Sequence, residues 1–320
     1  MTQKKGAFLK DIAEREILLF GGKGGLGKTT VASATAMKIA SKFPEKRIFI
    51  FSTDPAQALG RSFGIDIAKG EEKKKITNNL YAGALDADAT YEELKNTYKK
   101  EIEEVFDAFI GGNGMDVPYD REIFVRLMDL SPPGLDEFMA LSKIIDIIEE
   151  GEYDLFILDT APSGHLLRLL ELPEIAMGWF SALIKTMMKY SGMVSLVKTA
   201  RLVLTYKKRV RKVMELLKDP EKTEFITVTV PEVLGVFETE RMLEKLHKIG
   251  IPSRHIIINK VTPLSECSFC KRVRAREKEY IKEIHEKFPD YEISEIPLFA
   301  REITGIESLR NFAEVAYEGE

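Results

Sequence analysis

The feature that most constrains the fold is an apolar, strand-like run that leads into a glycine-rich loop and then into an alanine-rich helical segment. The loop, Gly22–Thr29, fits the pattern G-x-x-x-x-G-K-[ST]. Its glycines let backbone N–H groups turn inward toward phosphate oxygens, and the N-terminus of the next helix adds a favourable dipole. Lys28 is expected to bridge the β- and γ-phosphates, and Thr29 to bind Mg²⁺ through its hydroxyl. The loop therefore predicts a nucleotide-triphosphate site.

Short apolar runs alternate with longer helical patterns through most of the chain. This alternation predicts an α/β fold with a doubly wound, mainly parallel sheet of the P-loop NTPase type. Runs such as IFIF and LFIL are continuous, which is typical of strands covered on both faces. The predicted strands are Glu16–Phe20, Arg47–Ser52, Leu80–Ala84, Tyr153–Leu158, Phe225–Thr229 and His255–Ile258. The predicted helices are Lys28–Lys42, Thr90–Phe109, Leu135–Glu149, Phe237–Ile249 and Lys271–Phe288.

The alternation is interrupted between Leu172 and Pro220, where no strand pattern occurs. This segment is apolar and holds five of the 11 methionines, so we interpret residues 172–220 as a helical insertion into a core of residues 1–171 and 221–320. Helices between residues 90 and 130 are candidates to contribute to it. Flexible methionine side chains suit a groove for varied apolar partners, although ordinary packing within the insertion explains them equally well. The candidate groove residues are Met177, Trp179, Phe180, Met187, Met188 and Met193.

Composition excludes several classes of protein. The 47 Lys+Arg and 51 Asp+Glu residues give a net charge of −4, which argues against a nucleic-acid-binding protein. The 44% content of hydrophobic residues excludes global disorder. The first residues lack the apolar segment of a signal peptide, and no stretch reaches the roughly 18 uncharged apolar residues of a membrane-spanning helix. Two cysteines cannot form a disulfide framework, so a cytoplasmic location is expected.

Two carboxylates follow predicted strands, at the edge of the sheet where open α/β folds bind nucleotides. Asp54 is a candidate for orienting the attacking water, although an Asp-Pro turn alone is a weak signal. Asp159 has the position of a carboxylate that supports Mg²⁺ through its water shell. The loop after Asp159 contains Pro162 and Gly164 and can change shape when the γ-phosphate leaves. His165 in this loop is either a general base or, with better support, a residue that couples the loop to its surroundings.

Lys23 is a second lysine within the loop, which an ordinary phosphate loop does not need. The form K-G-G-x-G-K-T-T resembles the deviant loop of dimerising ATPases, which include MinD-type, ParA-type, nitrogenase iron-protein and arsenite-pump relatives. The resemblance implies that Lys23 reaches across a dimer to the partner's phosphates; a solvated loop lysine is the alternative. The loop residues predicted to bind nucleotide are Gly22, Lys23, Gly24, Gly25, Gly27, Lys28, Thr29 and Thr30, with Lys23, Lys28 and Asp54 as the catalytic set.

Three longer motifs make the resemblance specific: Ser52–Ala56 (STDPA), Ser131–Glu137 (SPPGLDE) and Asp159–Pro173 (DTAPSGHLLRLLELP). Their combination resembles the arsenite-pump ATPase family, which includes the targeting ATPases at the centre of guided entry of tail-anchored proteins. Further matching stretches are Pro231–Glu232 with Phe237–Arg241, Asn259–Lys260 with Cys267–Lys271, and Ile296–Leu298 with Ile303–Ile306. The resemblance covers nearly the whole chain, is weakest in the insertion, and is interpreted as that of an archaeal-type homologue.

The resemblance implies roles for individual residues. Asp54 matches the family's water-activating carboxylate and Asp159 the carboxylate of its Mg²⁺ site. Asn259 matches the adenine-recognising residue, and Pro297 is expected to contact the nucleotide as well. The family commonly has His and Asn where this chain has Gln57–Ala58. The contacts of that His and Asn, which include part of the coupling of hydrolysis to dimer closure, are therefore not expected here.

Cys267 and Cys270 have C-x₂-C spacing in a predicted tight turn. A structural Zn²⁺ needs four ligands, and the chain has only these two cysteines, while its four histidines form no paired motif. A symmetric dimer in which each protomer supplies both thiols would complete the ligand set, and the family resemblance implies this shared Zn²⁺. A redox pair and an idle pair of thiols are the alternatives.

The resemblance implies an ATP-hydrolysing homodimer that uses Mg²⁺ and Zn²⁺, binds the transmembrane segment of tail-anchored proteins and delivers it to a membrane receptor. Assembly beyond a dimer is compatible with this function, and nucleic acid is not an expected partner. An arsenite-pump ATPase is disfavoured because that activity needs further cysteine thiolates and two fused ATPase halves. A MinD- or ParA-like positioning ATPase is the other alternative, but a MinD-type protein is expected to end in a basic amphipathic helix, whereas this sequence ends in a short acidic segment.

Overall fold

Eight strands form one sheet in the part of the chain that the computed structural model describes, which is residues 8–52, 58–67, 73–84, 148, 150–159, 204, 208 and 211–318. The strands are β1 (Ile17–Gly21), β2 (Ile48–Ser52), β3 (Lys74–Lys75), β4 (Leu80–Ala84), β5 (Leu155–Asp159), β6 (Thr223–Thr229), β7 (His255–Val261) and β8 (Glu292–Pro297). The helices are α1 (Phe8–Ala13), α2 (Lys28–Lys42), α3 (Ala58–Phe63), α4 (Val233–Ile249), α5 (Ser268–Lys287) and α6 (Ile306–Ala316).

The strand order is β3-β4-β2-β5-β1-β6-β7-β8, and every neighbouring pair is parallel except β3 with β4. Strand β1 therefore lies between β5 and β6, at the point where the strand order reverses. Such a switch point opens a crevice at the carboxyl ends of the strands, where α/β proteins bind ligands. The predicted α/β fold with a mainly parallel, doubly wound sheet is confirmed.

The core on one face of the sheet is built from alternating residues of the central strands. Leu18 and Phe20 of β1 and Ile157 of β5 are fully buried there, among side chains of α1, α2, α3 and α6. Helix α2 can pack closely against the central strands because its inward face carries small residues such as Ala32 and Ala36, which are also fully buried. This packing places the first turn of α2 directly behind the end of β1.

The predicted elements agree best with the structure where the sequence pattern is strong. Helix α2 begins and ends at the predicted residues, as does β4, and the other predicted strands differ by one to three residues at their ends. Strand β8 was not predicted because its two buried residues, Ile293 and Ile296, are three positions apart and give neither an apolar run nor a strict alternation. Helices α1 and α3, of six residues each, are too short to show a helical period.

The chain divides into two compact units. One comprises Met1–Asp86, Ile147–Leu167 and Leu216–Glu320 and carries the sheet; the other comprises Ala87–Asp146 and Arg168–Glu215. The predicted helix Thr90–Phe109 lies outside the described residues. So does most of the predicted insertion and all but residue 148 of the predicted helix Leu135–Glu149. In the part of the chain that is described, no helix is both long and apolar enough to cross a membrane.

Charged side chains are buried near the amino ends of the strands, on the opposite side of the sheet from the strand carboxyl ends. Arg15, Glu224 at the start of β6 and His255 at the start of β7 are each at most 4% exposed. Arg15 donates two hydrogen bonds to the Asp11 carboxylate, at 2.9 and 3.0 Å, and its Nε lies 3.9 Å from Glu224 Oε2. The His255 ring hydrogen-bonds to Glu224 through Nδ1 and to Glu292 through Nε2, the latter at 3.3 Å.

One nitrogen of His255 and carboxylate oxygens of Asp11 and Glu224 lie within 4.8 Å of one another, a spacing that a metal ion can bridge. The guanidinium of Arg15 already supplies a positive charge to both carboxylates, at the distances given above. A divalent cation would have to displace it or be repelled by it. We therefore interpret these residues as a buried ion-pair network.

Protonated His255 is stabilised by this network. Burial alone would lower the pKa of His255, but its hydrogen bond to Glu224, together with the charges of Glu224, Glu292 and Asp11, outweighs burial and raises the pKa above its ordinary value. Because the folded state holds the proton more tightly than the unfolded state, the stabilisation is complete below the unfolded pKa of about 6.5 and is lost as the pH rises through the folded pKa.

Replacing His255 by Gln should remove this pH dependence. We expect the free energy of unfolding of the wild type, measured by urea denaturation, to fall from pH 6 to pH 8.5 more steeply than that of His255→Gln. The exposed His285 on α5 gives a matched control, and His285→Gln should keep the wild-type profile. Equal slopes for the wild type and His255→Gln would show that the buried network does not stabilise the charged ring.

Candidate functional site

The glycine-rich loop joins the end of β1 to the first turn of α2. Lys28, the first residue of α2, is 7% exposed, and its Nζ donates to the Lys23 carbonyl at 3.1 Å. Gly27 caps the helix with a left-handed backbone (φ 88°) and, as a glycine, has no side chain that could cap the first turn. This leaves the N-cap position open, as in a site that binds phosphate at a helix N-terminus.

Asn259, at the end of β7, lies directly against this loop. Its Nδ2 donates to the Leu26 carbonyl at 2.8 Å, and the residue is only 4% exposed. A Cβ atom on Gly27 would come within 2.6 Å of the same nitrogen. The close approach explains why position 27 is a glycine, in addition to its backbone conformation.

The buried carboxylate of Asp159 faces the other side of the loop. It ends β5, is 1% exposed, and its Oδ2 accepts a hydrogen bond from the Thr29 hydroxyl at 2.7 Å and one from Ser52 Oγ at 3.3 Å. Pairing of Asp159 with Phe20 of β1 and with Ser52 of β2 brings these groups together. Hydroxyl and carboxylate oxygens are the donors that Mg²⁺ prefers, so this set fits the predicted metal.

The remaining residues of the loop differ in exposure. Lys23, Gly24 and Gly25 are exposed, and Thr30 is half-buried in the first turn of α2. Within the described part of the chain, the ammonium of Lys23 forms no ion pair. An exposed lysine at this position is accessible to a second molecule.

The two cysteines lie at the start of α5, beyond the end of β7. Cys267 is exposed and precedes the helix, and Cys270 is half-buried in its first turn. The backbone N–H of Cys270, then its thiol and the N–H of Phe269, lower the pKa of Cys267 below its ordinary value. The hydrogen bond to Cys267 raises the pKa of Cys270. One readily ionised thiol beside a second thiol fits half of a tetrahedral Zn²⁺ site.

Most predicted nucleotide residues therefore meet at the carboxyl edge of the sheet: the loop, Asp159 and Asn259, with Pro297 closing β8 beside the end of β7. Asp54, His165 and the candidate groove residues from Met177 to Met193 lie outside the described residues. Two residues of the site were not predicted. Ser52 ends a strand and was identifiable from that position, and Lys260 follows the predicted Asn259 directly.

Comparison with known proteins agrees with this geometry. The family ArsA_ATPase, described as "Anion-transporting ATPase", matches residues 15–318. The chain is 31% identical to "ATPase GET3B" of Arabidopsis thaliana, covering 95% of this chain and 79% of the relative. It is 31% identical to "ATPase ASNA1 homolog 1" of Paramecium tetraurelia, covering 98% of this chain and 97% of the relative. It is 32% identical to "ATPase GET3" of Komagataella phaffii, covering 97% of this chain and 93% of the relative. These relatives are eukaryotic, so the expectation of an archaeal-type homologue is not supported.

Substituting Gly27 by Ala should destabilise the protein more than the same change at Gly25. Both glycines have a left-handed backbone (φ 88° and 80°), so each substitution carries a similar cost of about 1–2 kcal/mol. Only at position 27 does the added Cβ meet a neighbour, the Asn259 amide, whose hydrogen bond to Leu26 would be lost for about 1 kcal/mol more. Chemical denaturation without nucleotide measures the difference; equal losses would contradict the contact.

Proposed function

Because the chain belongs to the ArsA ATPase family, we propose that this ATPase is a homodimeric targeting factor that binds the transmembrane segments of tail-anchored proteins and delivers them to a membrane receptor from the cytoplasm. The observation that carries the proposal is the extent of the match: relatives named GET3 and ASNA1 align with nearly the whole chain. The motifs from Ser52–Ala56 to Ile296–Ile306 resemble the tail-anchored-protein branch over the same length.

The chain hydrolyses ATP, and the geometry supports a separate role in this reaction for each residue of the site. Lys28 would bridge the β- and γ-phosphates, and Asp54 would orient the attacking water in line with the γ-phosphate. Thr29 and Asp159 would hold Mg²⁺, which neutralises charge on the phosphates when it is bound. Asn259, whose side-chain oxygen has no role in its contact with Leu26, would accept a hydrogen bond from the adenine amino group.

Two features of the site support a dimer. Lys23 extends from the loop into solvent, where it would reach the phosphates bound by the partner. The pair of thiols at Cys267 and Cys270 is half of a tetrahedral Zn²⁺ site, and a symmetry-related pair from a second chain would supply the other half. Both features would make the closed dimer depend on bound ligands, one on ATP and the other on Zn²⁺.

The shared metal is testable by composition. We expect the purified dimer to contain one zinc ion per two chains, measured by native mass spectrometry and elemental analysis. Replacing both Cys267 and Cys270 by Ser should abolish the zinc and shift the population toward monomer. Ser268→Ala, a substitution of an exposed residue between the two thiols, is the matched control and should keep both the zinc and the dimer. An intact dimer without zinc would refute the shared site.

The client would be held by the helical insertion. A transmembrane segment of roughly 20 apolar residues is about 30 Å long, which a groove formed by two insertions side by side would match. Met187 and Met188 are the proposed centre of this groove, because methionine adapts to side chains of different shape. Release of the γ-phosphate would relax the segments that contain Asp54 and Asp159 and, through the loop after Gly164, the insertion.

Co-expression with a tail-anchored protein tests this function. We expect a soluble complex whose stability depends on whether ATP or ADP is bound. The Asp54→Asn variant should bind ATP but hydrolyse it slowly, so it represents the ATP-bound form. Met187→Asp combined with Met188→Asp should lower recovery of the client by more than about tenfold, since burying one Asp against hydrocarbon costs about 3 kcal/mol.

An exposed lysine on α5 provides the control, and Lys278→Met should recover as much client as the wild type. Undiminished capture by the double aspartate variant would place the groove elsewhere. Stimulation of ATP hydrolysis by arsenite, without recovery of any client, would instead support an arsenite-pump ATPase.

A further inference from the structure

We propose that Lys260 is a positioning residue that orients the phosphate loop for nucleotide. None of the roles assigned above uses this side chain. The proposal concerns the ATP site alone, so it does not depend on the nature of the client.

An irregularity in the sheet brings Lys260 to the loop. Ile258 of β7 pairs with Glu295 of β8, and Val261 pairs with Pro297, so β7 advances three residues while β8 advances two. One extra residue is thus accommodated in β7, as in a β-bulge. In a regular strand, residue 260 would share the face of the buried Ile258, since side chains alternate. The bulge instead leaves Lys260 exposed beside the phosphate loop.

The backbone of Lys260 is also unusual. Its φ of 58° lies in the left-handed region, and it is the one non-glycine residue in the described part of the chain with a positive φ. An L-residue is disfavoured there, and residues held in such conformations concentrate at functional sites. If the bulge required only this backbone shape, glycine would provide it without strain. The lysine is therefore explained by its side chain.

That side chain, together with Asn259, fixes two successive peptide groups of the loop. Lys260 Nζ donates to the Gly25 carbonyl at 2.7 Å, and Asn259 Nδ2 donates to the Leu26 carbonyl at 2.8 Å. In a planar trans peptide the N–H points opposite to the C=O, and no cis peptide is present among the described residues. The N–H groups of Leu26 and Gly27 are therefore directed away from β7.

Such aligned N–H groups are what a phosphate-binding loop needs. A flexible glycine-rich loop otherwise has to order its peptide groups when the nucleotide binds, and this ordering weakens affinity. The hydrogen bond from Lys260 is charge-assisted and therefore stronger than one between neutral groups. By holding the Gly25 carbonyl, Lys260 prepares the loop before ATP or ADP arrives. This effect acts on the binding of both nucleotides and leaves the chemical step unaffected.

Substitutions at position 260 separate this role from a purely structural one. Lys260→Met keeps the aliphatic chain but removes the donor, and we expect the Kd of both ATP and ADP to rise by about tenfold. The kcat should stay within about twofold of the wild type, since ground state and transition state lose the same interaction. Lys260→Arg should recover part of the affinity, because it retains a charged donor.

Lys260→Gly separates the hydrogen bond from the backbone strain. It also removes the donor, so the Kd should rise as in Lys260→Met, but it relieves the left-handed strain that Lys260→Met keeps, so its Tm should lie about 2 °C above that of Lys260→Met. Kd is measured by calorimetry with Mg-ATP and Mg-ADP, Tm by thermal unfolding without nucleotide, and Lys278→Met on α5 is the control that should change neither.

Two results would overturn the proposal. One is wild-type nucleotide affinity in Lys260→Met; the other is a fall in Tm in both Lys260→Met and Lys260→Gly that accounts for their weaker binding. Failure of the wild type itself to bind Mg-ATP would instead refute the nucleotide site as a whole, and the two failures are distinguished by the wild-type titration.

Discussion

At the carboxyl edge of the sheet, one oxygen of the buried Asp159 carboxylate accepts hydrogen bonds from the hydroxyls of both Thr29 and Ser52. Removing a carboxylate from water is costly unless hydrogen-bond donors replace the solvent, and the two hydroxyls supply these donors to Asp159. Thr29, Ser52 and Asp159 belong to three different elements, α2, β2 and β5. The contact therefore sets the position of the loop relative to the strand ends, and the other groups of the site are arranged around it.

The two edges of the sheet use charge differently. At the amino edge, Arg15, Glu224 and His255 neutralise one another out of contact with water. At the carboxyl edge, the loop keeps N–H groups and the ammonium of Lys23 toward the outside, where an anionic ligand can reach them. Strand β7 belongs to both arrangements, since it begins at His255 and contributes Asn259 near its end. Stability and ligand binding are thus assigned to opposite ends of the same strands.

Much of this arrangement could be predicted from the sequence, where short-range patterns determine it. The bounds of α2 and the loop before it follow from spacing alone, and Asp159 follows from its place after an apolar strand. The contact between Thr29 and Asp159 joins residues that are 130 positions apart. It depends on β5 lying next to β1, which follows from the order of the strands in the sheet and not from any local motif.

Other features could not be predicted because they contradict the patterns that identify elements. Charged residues such as Glu224 and His255 are expected at the surface, and only their mutual pairing explains their burial. Strand β8 lies at the edge of the sheet and lacks a continuous apolar run. Asp54 and Met187 lie outside the described residues, so their roles rest on the family resemblance.

The extra residue in β7 has a consequence for the evolution and engineering of this site. An extra residue in one strand normally shifts the pairing of all the residues that follow it. Here the pairing with β8 resumes at Val261 and Pro297, so the shift is confined to a single step, between that pair and the pair of Ile258 with Glu295. Within that step Lys260 is exposed, so it can change without altering the packing of the buried Ile258 and Val261 on either side. Grafting the nucleotide site onto another sheet would require β7 and β8 together, since neither strand alone encodes the offset between them.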